Sequence, residues 1–238
     1  MAAKLVFDIE TGSLSDDDLL EIVPFVDRKE PPRGNIKLEA TWKKKLADWK
    51  SPAYKRQREK DHAGNLKKKG ALNPLTGYVI AIGVKHGDEE NPEVSLIEGL
   101  EKKVLTDFWA LIGNHLKNGN VAYGYNIKNF DVRFLINRSR VYGIRPEMYT
   151  GGLPLINDFG KLPSILVDIG QQWAGGYGGF DMPRFEHLCA LFGIKAKSQG
   201  FRGDSFAKTY RTDPDLAMEY LREEVEALWE LSDYFKII

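Results

Sequence analysis

The sequence predicts a mixed α/β sheet flanked by helices, with a basic, partly helical insertion between its first two strands. Three observations carry that expectation. Short β-prone runs come first along the chain, helical stripes are interleaved after them, and a long charged interruption separates the first run from the second.

Residues 3–9 form the first run. It ends in "LVFDIETG", where Asp8 and Glu10 fall on one side of a strand and Phe7 and Ile9 on the other. Two like charges on one face repel, so the pair needs compensation. "GYVIAIGVKHG" (77–87) and "EVSLIEG" (93–99) read as the next two strands. Between 100 and 116 the apolar residues fall at helical spacing, at 100, 104, 105, 108, 109, 112 and 116. "NVAYGY" then reads as a strand, "KNFDVRFLINRSRVYG" as a helix closed by Gly143, "SILVDIG" as a strand and "MPRFEHLCALFGI" as a helix ending at Gly193. In the final helix Asp213 caps, Pro214 takes the first position, and Ala217, Tyr220, Glu224, Leu228 and Leu231 share one stripe.

The interruption spans about residues 15–75 of what reads as a single domain, residues 1–238. Residues 28–69 contain fifteen Lys and Arg against five Asp and Glu, a local charge of +10 in a chain whose net charge is zero. Such asymmetry suggests a polyanionic partner, and the competing reading is a solvated helix surface. Leu38, Trp42, Leu46 and Trp49 recur at steps of three and four, which predicts a basic helix docked by its tryptophans on the rest of the domain, with base stacking as the lesser alternative.

Composition excludes several classes. The single cysteine, Cys189, permits no internal disulfide and no multi-cysteine metal site. No apolar run approaches the roughly 20 residues of a membrane helix, and no signal pattern opens the chain, so a cytoplasmic protein without a membrane partner is expected.

Two further carboxylates stand out. Asp131 in "YNIKNFD" sits early on a helix, where an acid also suits the helix dipole, and Glu224 interrupts an apolar row, where it needs a partner or must edge the stripe. "FDIETG", "YNIKNFD" and "YLREE" follow one another in the order and rough spacing of the three motifs of the DEDDy 3′-to-5′ exonucleases of the ribonuclease H-like superfamily. The chain resembles that family along nearly its whole length outside the insertion. "ALNPLTGYVIAIGV" is similar to the second strand of stand-alone, phage-type members related to the proofreading domains of family B polymerases, some of which share an insertion at this point.

The resemblance implies a ribonuclease H-like fold and a 3′-to-5′ exonuclease that binds two divalent ions, Mg2+ or Mn2+, hard cations suited to oxygen ligands. It implies that Asp8 bridges both ions, that Glu10 and Glu224 hold the water-activating one, that Asp131 supports the other, and that Tyr220 orients the attacking water. The metals would then be the compensation that Asp8 and Glu10 require. The backbone at Thr11 and Gly12 and the side chain of Leu14 match positions that touch the terminal nucleotide, and Asn126 and Phe130 match positions beside the groove. No histidine stands where Tyr220 does, which excludes the histidine-using sister group.

One residue departs from the pattern. The third motif of the family usually ends in Asp, and Glu224 carries an extra methylene that moves its oxygens by about 1.5 Å. The expected substrate is nucleic acid, single-stranded or frayed DNA before RNA, and a weakened nucleic-acid-binding module is the alternative from another class. A polymerase or other replication protein is an expected partner. Lys43, Lys44, Lys45, Lys67, Lys68 and Lys69 are candidates for a path along the strand backbone. Asp168 reads as an exposed strand end in preference to a supporting acid, "GGYGGF" (175–180) as a connector or a loop over substrate, and His187 as a non-ligand.

Overall fold

A computed structural model describes residues 3–88, 90–146, 162, 164–176, 181–196 and 205–236. Two compact units emerge. Met1–Gly12 with Tyr78–Ile238 form one, and Ser13–Gly77 form the other.

The first unit is built on a five-stranded sheet. In chain order its strands are β1 (Lys4–Ser13), β2 (Gly77–Gly87), β3 (Glu93–Glu98), β4 (Val121–Gly124) and β5 (Leu166–Asp168), and they lie side by side as β3-β2-β1-β4-β5. β2 and β3 pair antiparallel, with Ala81 opposite Glu98 and His86 opposite Glu93. β4 pairs parallel with both β1 and β5, with Leu5 opposite Ala122 and Tyr123 opposite Val167. This is the mixed α/β sheet that the pattern of runs and stripes predicts.

Alternation along β1 assigns its residues to two cores. Leu5, Phe7 and Ile9 face α4 (Glu101–Lys117) and α5 (Asp131–Val141), where Phe7 and Phe108 bring their rings to 5.1 Å. The periodic residues of α4 from Val104 to Leu116 are buried as expected; Leu100 is the exception, 83% exposed, because the helix starts after it. Val6 points to the other side, into a cluster with α7 (Phe185–Leu191) and α9 (Pro214–Ser232). Asp8 and Glu10 share that side, so a carboxylate carried on α9 can reach them.

α9 starts as its sequence dictates. The Asp213 carboxylate accepts the Leu216 N–H at 3.1 Å and Pro214 stands at the first turn. Its stripe of Ala217, Tyr220, Glu224, Leu228 and Leu231 is buried throughout. The helix rests on β2 at Gly83, where a Cβ would come within 2.8 Å of Val225 and 2.9 Å of Leu221. At its far end the buried Lys4 ammonium donates to the Trp229 carbonyl at 3.0 Å and to Asp233 at 2.5 Å, a cation where the helix dipole favours one. Two short helices outside the elements expected from the sequence complete the unit, α6 (Ile169–Trp173) and α8 (Phe206–Thr212).

The second unit carries α1 (Asp16–Ile22), α2 (Glu39–Lys50) and α3 (Pro52–Lys69). Ser15 caps α1 and Ser51 caps α3, each accepting a backbone N–H three residues on. Where one basic helix was expected, two adjoin at Ser51. Leu38 is no part of the stripe: it precedes α2 and is 73% exposed. Trp49 serves the insertion itself, its ring 4.0 Å from the Arg58 guanidinium and its indole N–H donating to the Arg28 carbonyl at 2.8 Å. Arg58 also donates to Asp27 at 2.6 Å and to the Trp49 carbonyl at 2.9 Å, and His62 packs against Phe25. Neither α2 nor α3 fully buries a residue, so cation–π and polar contacts replace an apolar core here.

Candidate active site

The candidate carboxylates gather where β1 runs on past its pairing with the parallel neighbour β4. Asp8 and Glu10 stand on β1 beyond Val6, the last residue paired with β4, Glu224 comes down from α9, and one oxygen from each lies within 4.8 Å of the others. Glu10 and Glu224 are buried and Asp8 is half-buried. Tyr220, one turn before Glu224, is buried beside them; burial and then the charges of Glu224, Glu10 and Asp8 push its phenol up, so it stays protonated.

Asp131 is brought to the same region from the opposite face of the sheet, as the first residue of α5, but it stands outside that close trio. Burial pushes its carboxyl up, backbone N–H groups at Asp131 and Ile9 pull it back, and the charges of Asp168 and Glu224 raise it further. Three clustered carboxylates and a fourth nearby form an all-oxygen donor set, which fits a hard divalent cation and not a soft one.

Asp168 corrects the sequence reading of an exposed strand end. It is 2% exposed, and its carboxylate accepts the backbone N–H groups of Asn126 and Lys128 at 3.0 Å each and of Gln171 at 3.1 Å. The spacing Asp168-x-x-Gln171 is a helix-start signature that was legible in the sequence. Asp168 thus caps α6 and also holds the turn between β4 and α5. That turn contains Asn126 at φ +60°, a left-handed conformation that Asn tolerates better than most residues. The Asn126 side chain accepts from Asn129 at 3.0 Å, and Asn129 accepts from Gln171 at 3.1 Å, so the segment leading into Asp131 is fixed from both sides.

A cleft of about 620 Å3 opens at this place. Asp8, Ile9, Asn126, Phe130 and Asp131 line it together with Tyr125, Met182, Arg184, Phe185 and Glu186, five residues that the sequence did not single out. Gly12 is buried on β1, and a Cβ there would come within 3.0 Å of Tyr78 and Ile80; Thr11 beside it is half-buried. Leu14 lies in the other unit, its N–H donating to the Thr76 carbonyl at 3.0 Å. His187 is exposed and is not a member of the carboxylate cluster. Residues 177–180 of the glycine-rich run lie outside the described residues.

The candidate lysines do not form one row. Lys43, Lys44 and Lys45 are consecutive on α2 and fan around it at about 100° per residue. Lys45 donates to the Pro32 carbonyl at 2.8 Å and Lys67 pairs with Asp16 at 3.0 Å, while Lys68 and Lys69 are exposed at the end of α3.

Comparison with known proteins adds to this geometry. Residues 78–165 match the family described as "DNA polymerase family B, exonuclease domain". The match begins in β2 and ends before β5, so it contains Asn126, Phe130 and Asp131 and leaves Asp8, Glu10, Tyr220 and Glu224 outside. Among solved structures, the chain is similar to the family B DNA polymerase from the hyperthermophilic archaeon Pyrobaculum calidifontis, with a TM-score of 0.57 and 18% identity over 99% of this chain. The chain spans only 24% of that polymerase, and the likeness carries the fold. No curated protein matches the chain. The resemblance to a polymerase-related exonuclease domain and the ribonuclease H-like fold that it implied are thus borne out. Among the described residues no helix is long and apolar enough to cross a membrane.

Proposed function

We propose that this chain is a metal-dependent 3′-to-5′ exonuclease that releases nucleoside monophosphates from DNA 3′ ends, single-stranded or frayed, and that it is one nuclease domain interrupted by a basic insertion. The observation that carries the reading is the trio Asp8, Glu10 and Glu224, with oxygens within 4.8 Å, of which Asp8 lines a cleft together with Asp131. Asp8, Glu10 and Glu224 would hold one divalent ion, and Asp8 with Asp131 a second. When bound, such ions supply a nucleophilic hydroxide near neutral pH and stabilise charge on the phosphate and the leaving oxygen.

The chain's own groups do the rest. Tyr220, kept protonated by its surroundings, donates and accepts through its hydroxyl and orients water for in-line attack. The turn fixed by Asp168 delivers Asp131 and the cleft residues Asn126 and Phe130, the latter offering a ring face to the terminal base. Glu224 favours an enzyme over a weakened binder: its carboxylate joins Asp8 and Glu10 despite its extra methylene. Mg2+ or Mn2+ fits the donor set, and the positive insertion suits a polyanion, with a polymerase or another replication protein as a further partner.

The test is mononucleotide release from a 5′-labelled DNA strand with Mg2+ or Mn2+, run beside a matched RNA strand, with EDTA and Asp8→Ala as controls. Release that needs metal and is lost in Asp8→Ala is the expected result. Metal-independent cleavage that survives Asp8→Ala would sink the site.

A further inference from the structure

Three acids, Asp8, Asp131 and Glu186, line the cleft, yet a nucleic-acid strand entering it is itself an anion. Among the described residues that line it there is one cation, Arg184. It lies just before α7, and the backbone around it is pinned. The Tyr125 hydroxyl donates to the Pro183 carbonyl, and the Tyr125 and Phe185 rings sit 5.4 Å apart. Met182 fills the niche left by Gly170, where a Cβ would come within 2.4 Å of its sulfur. Tyr125 follows β4 and leads to Asn126, so the seat of Arg184 is tied to the turn that supplies other residues of the cleft lining. The side chain itself is exposed and makes no hydrogen bond or ion pair among the described residues. An arginine on a pinned backbone, with no side-chain partner among the described residues and a cleft before it, is arranged to meet a planar or tetrahedral oxyanion.

We infer that Arg184 is a substrate-binding residue that clamps the non-bridging oxygens of the phosphodiester one link upstream of the scissile one. This rests on the exonuclease reading. On that reading the carboxylate trio marks where the scissile phosphate lies, and Arg184, which lines the cleft with Asp8 and Asp131 from another segment of the chain, is left for the adjoining phosphate. A contact of this kind fixes register and carries no base information. It is made equally before and during reaction, so it acts on affinity and KM while leaving kcat nearly unchanged.

The test uses the full chain, the Arg184→Ala and Arg184→Lys variants, and a set of 5′-labelled single strands each carrying one uncharged methylphosphonate linkage at a different distance from the 3′ end. Binding is measured in EDTA, and KM and kcat with Mn2+. Arg184→Ala should weaken binding about tenfold, the scale of one charge-assisted contact, with Arg184→Lys in between. Wild type should lose similar affinity when the linkage next to the terminal one is neutral, and Arg184→Ala should be indifferent to that substitution alone. Equal affinity for wild type and Arg184→Ala, or equal sensitivity of both at that linkage, would overturn the clamp while leaving metal-dependent release by wild type intact. A fall in kcat with unchanged affinity would overturn it too, by moving the contact to the reacting phosphate. A wild type that neither binds nor cuts the strands removes the exonuclease reading and the clamp with it.

Discussion

Replacing Asp168 tests whether one buried carboxylate holds the turn that presents Asp131. Its Oδ1 accepts from Asn126 at 3.0 Å and Gln171 at 3.1 Å, and its Oδ2 from Lys128 at 3.0 Å. Asp168→Asn keeps the shape and one acceptor oxygen but sets an NH2 group against a backbone N–H, so one hydrogen bond is lost and one buried donor is stranded. A stranded buried donor costs about 1–3 kcal/mol, which puts Asp168→Asn at about 2 kcal/mol. Asp168→Ala strands all three donors; because these share one turn and relax together, about 4 kcal/mol is expected, well short of three independent losses. Urea unfolding at fixed pH with an unchanged m-value measures both. Amide hydrogen exchange adds a local readout, in which Lys128 should lose protection in Asp168→Asn while β2 keeps its own. Unfolding midpoints within error of wild type for both variants, or protection lost uniformly over the sheet, would refute the idea that Asp168 organises this turn.

If Glu224 is a metal ligand, Glu224→Ala should cut turnover by about 10²-fold or more, Glu224→Asp should change the Mg2+ to Mn2+ activity ratio, and Glu223→Ala, about 100° away around α9, should change little. Should Glu223→Ala prove the damaging one, the third motif has been placed one residue off. Tyr220→Phe should leave metal-dependent thermal stabilisation in place and lower kcat, because only the hydroxyl is lost; an unaltered kcat would take the water-orienting role away. The burial that raises Asp131 favours its protonated form in the folded state, so the metal-free protein should lose stability as pH rises above the ordinary carboxylate range near 3.8, and Asp131→Asn should flatten that decline. Thermal melts in EDTA from pH 5 to 8 check it, and parallel profiles for the two proteins would contradict it. For the insertion, changing Lys43, Lys44 and Lys45, or Lys67, Lys68 and Lys69, to Gln should flatten the salt dependence of single-strand binding by up to roughly 2 in log–log slope. Slopes identical to wild type in both variants would take the insertion out of the substrate path.

What the sequence determined by itself is whatever local periodicity and local chemistry control. The strands at 77–87 and 93–98, the buried row of α4 and the capped start of α9 all follow from spacing and end residues, because a helix or strand face is fixed by the residues a few positions apart. Asp8 and Glu10 on one side of β1, and Tyr220 and Glu224 on one stripe of α9, were readable for the same reason. Resemblance joined these pieces into one motif set; periodicity alone did not. Tertiary structure decided how distant carboxylates meet. Asp131 arrives from the far face of the sheet, and its distance from the trio depends on a turn held by Asp168, which lies 37 residues later in the chain and is buried only once β5 pairs with β4. Arg184 escaped notice because an arginine ahead of a helix has no periodic signature; its meaning comes from Tyr125 and Gly170, far from it in sequence. The stripe of tryptophans in the insertion looks the same in sequence whether its partner is an apolar sheet or a guanidinium, and only the fold brings Arg58 over Trp49.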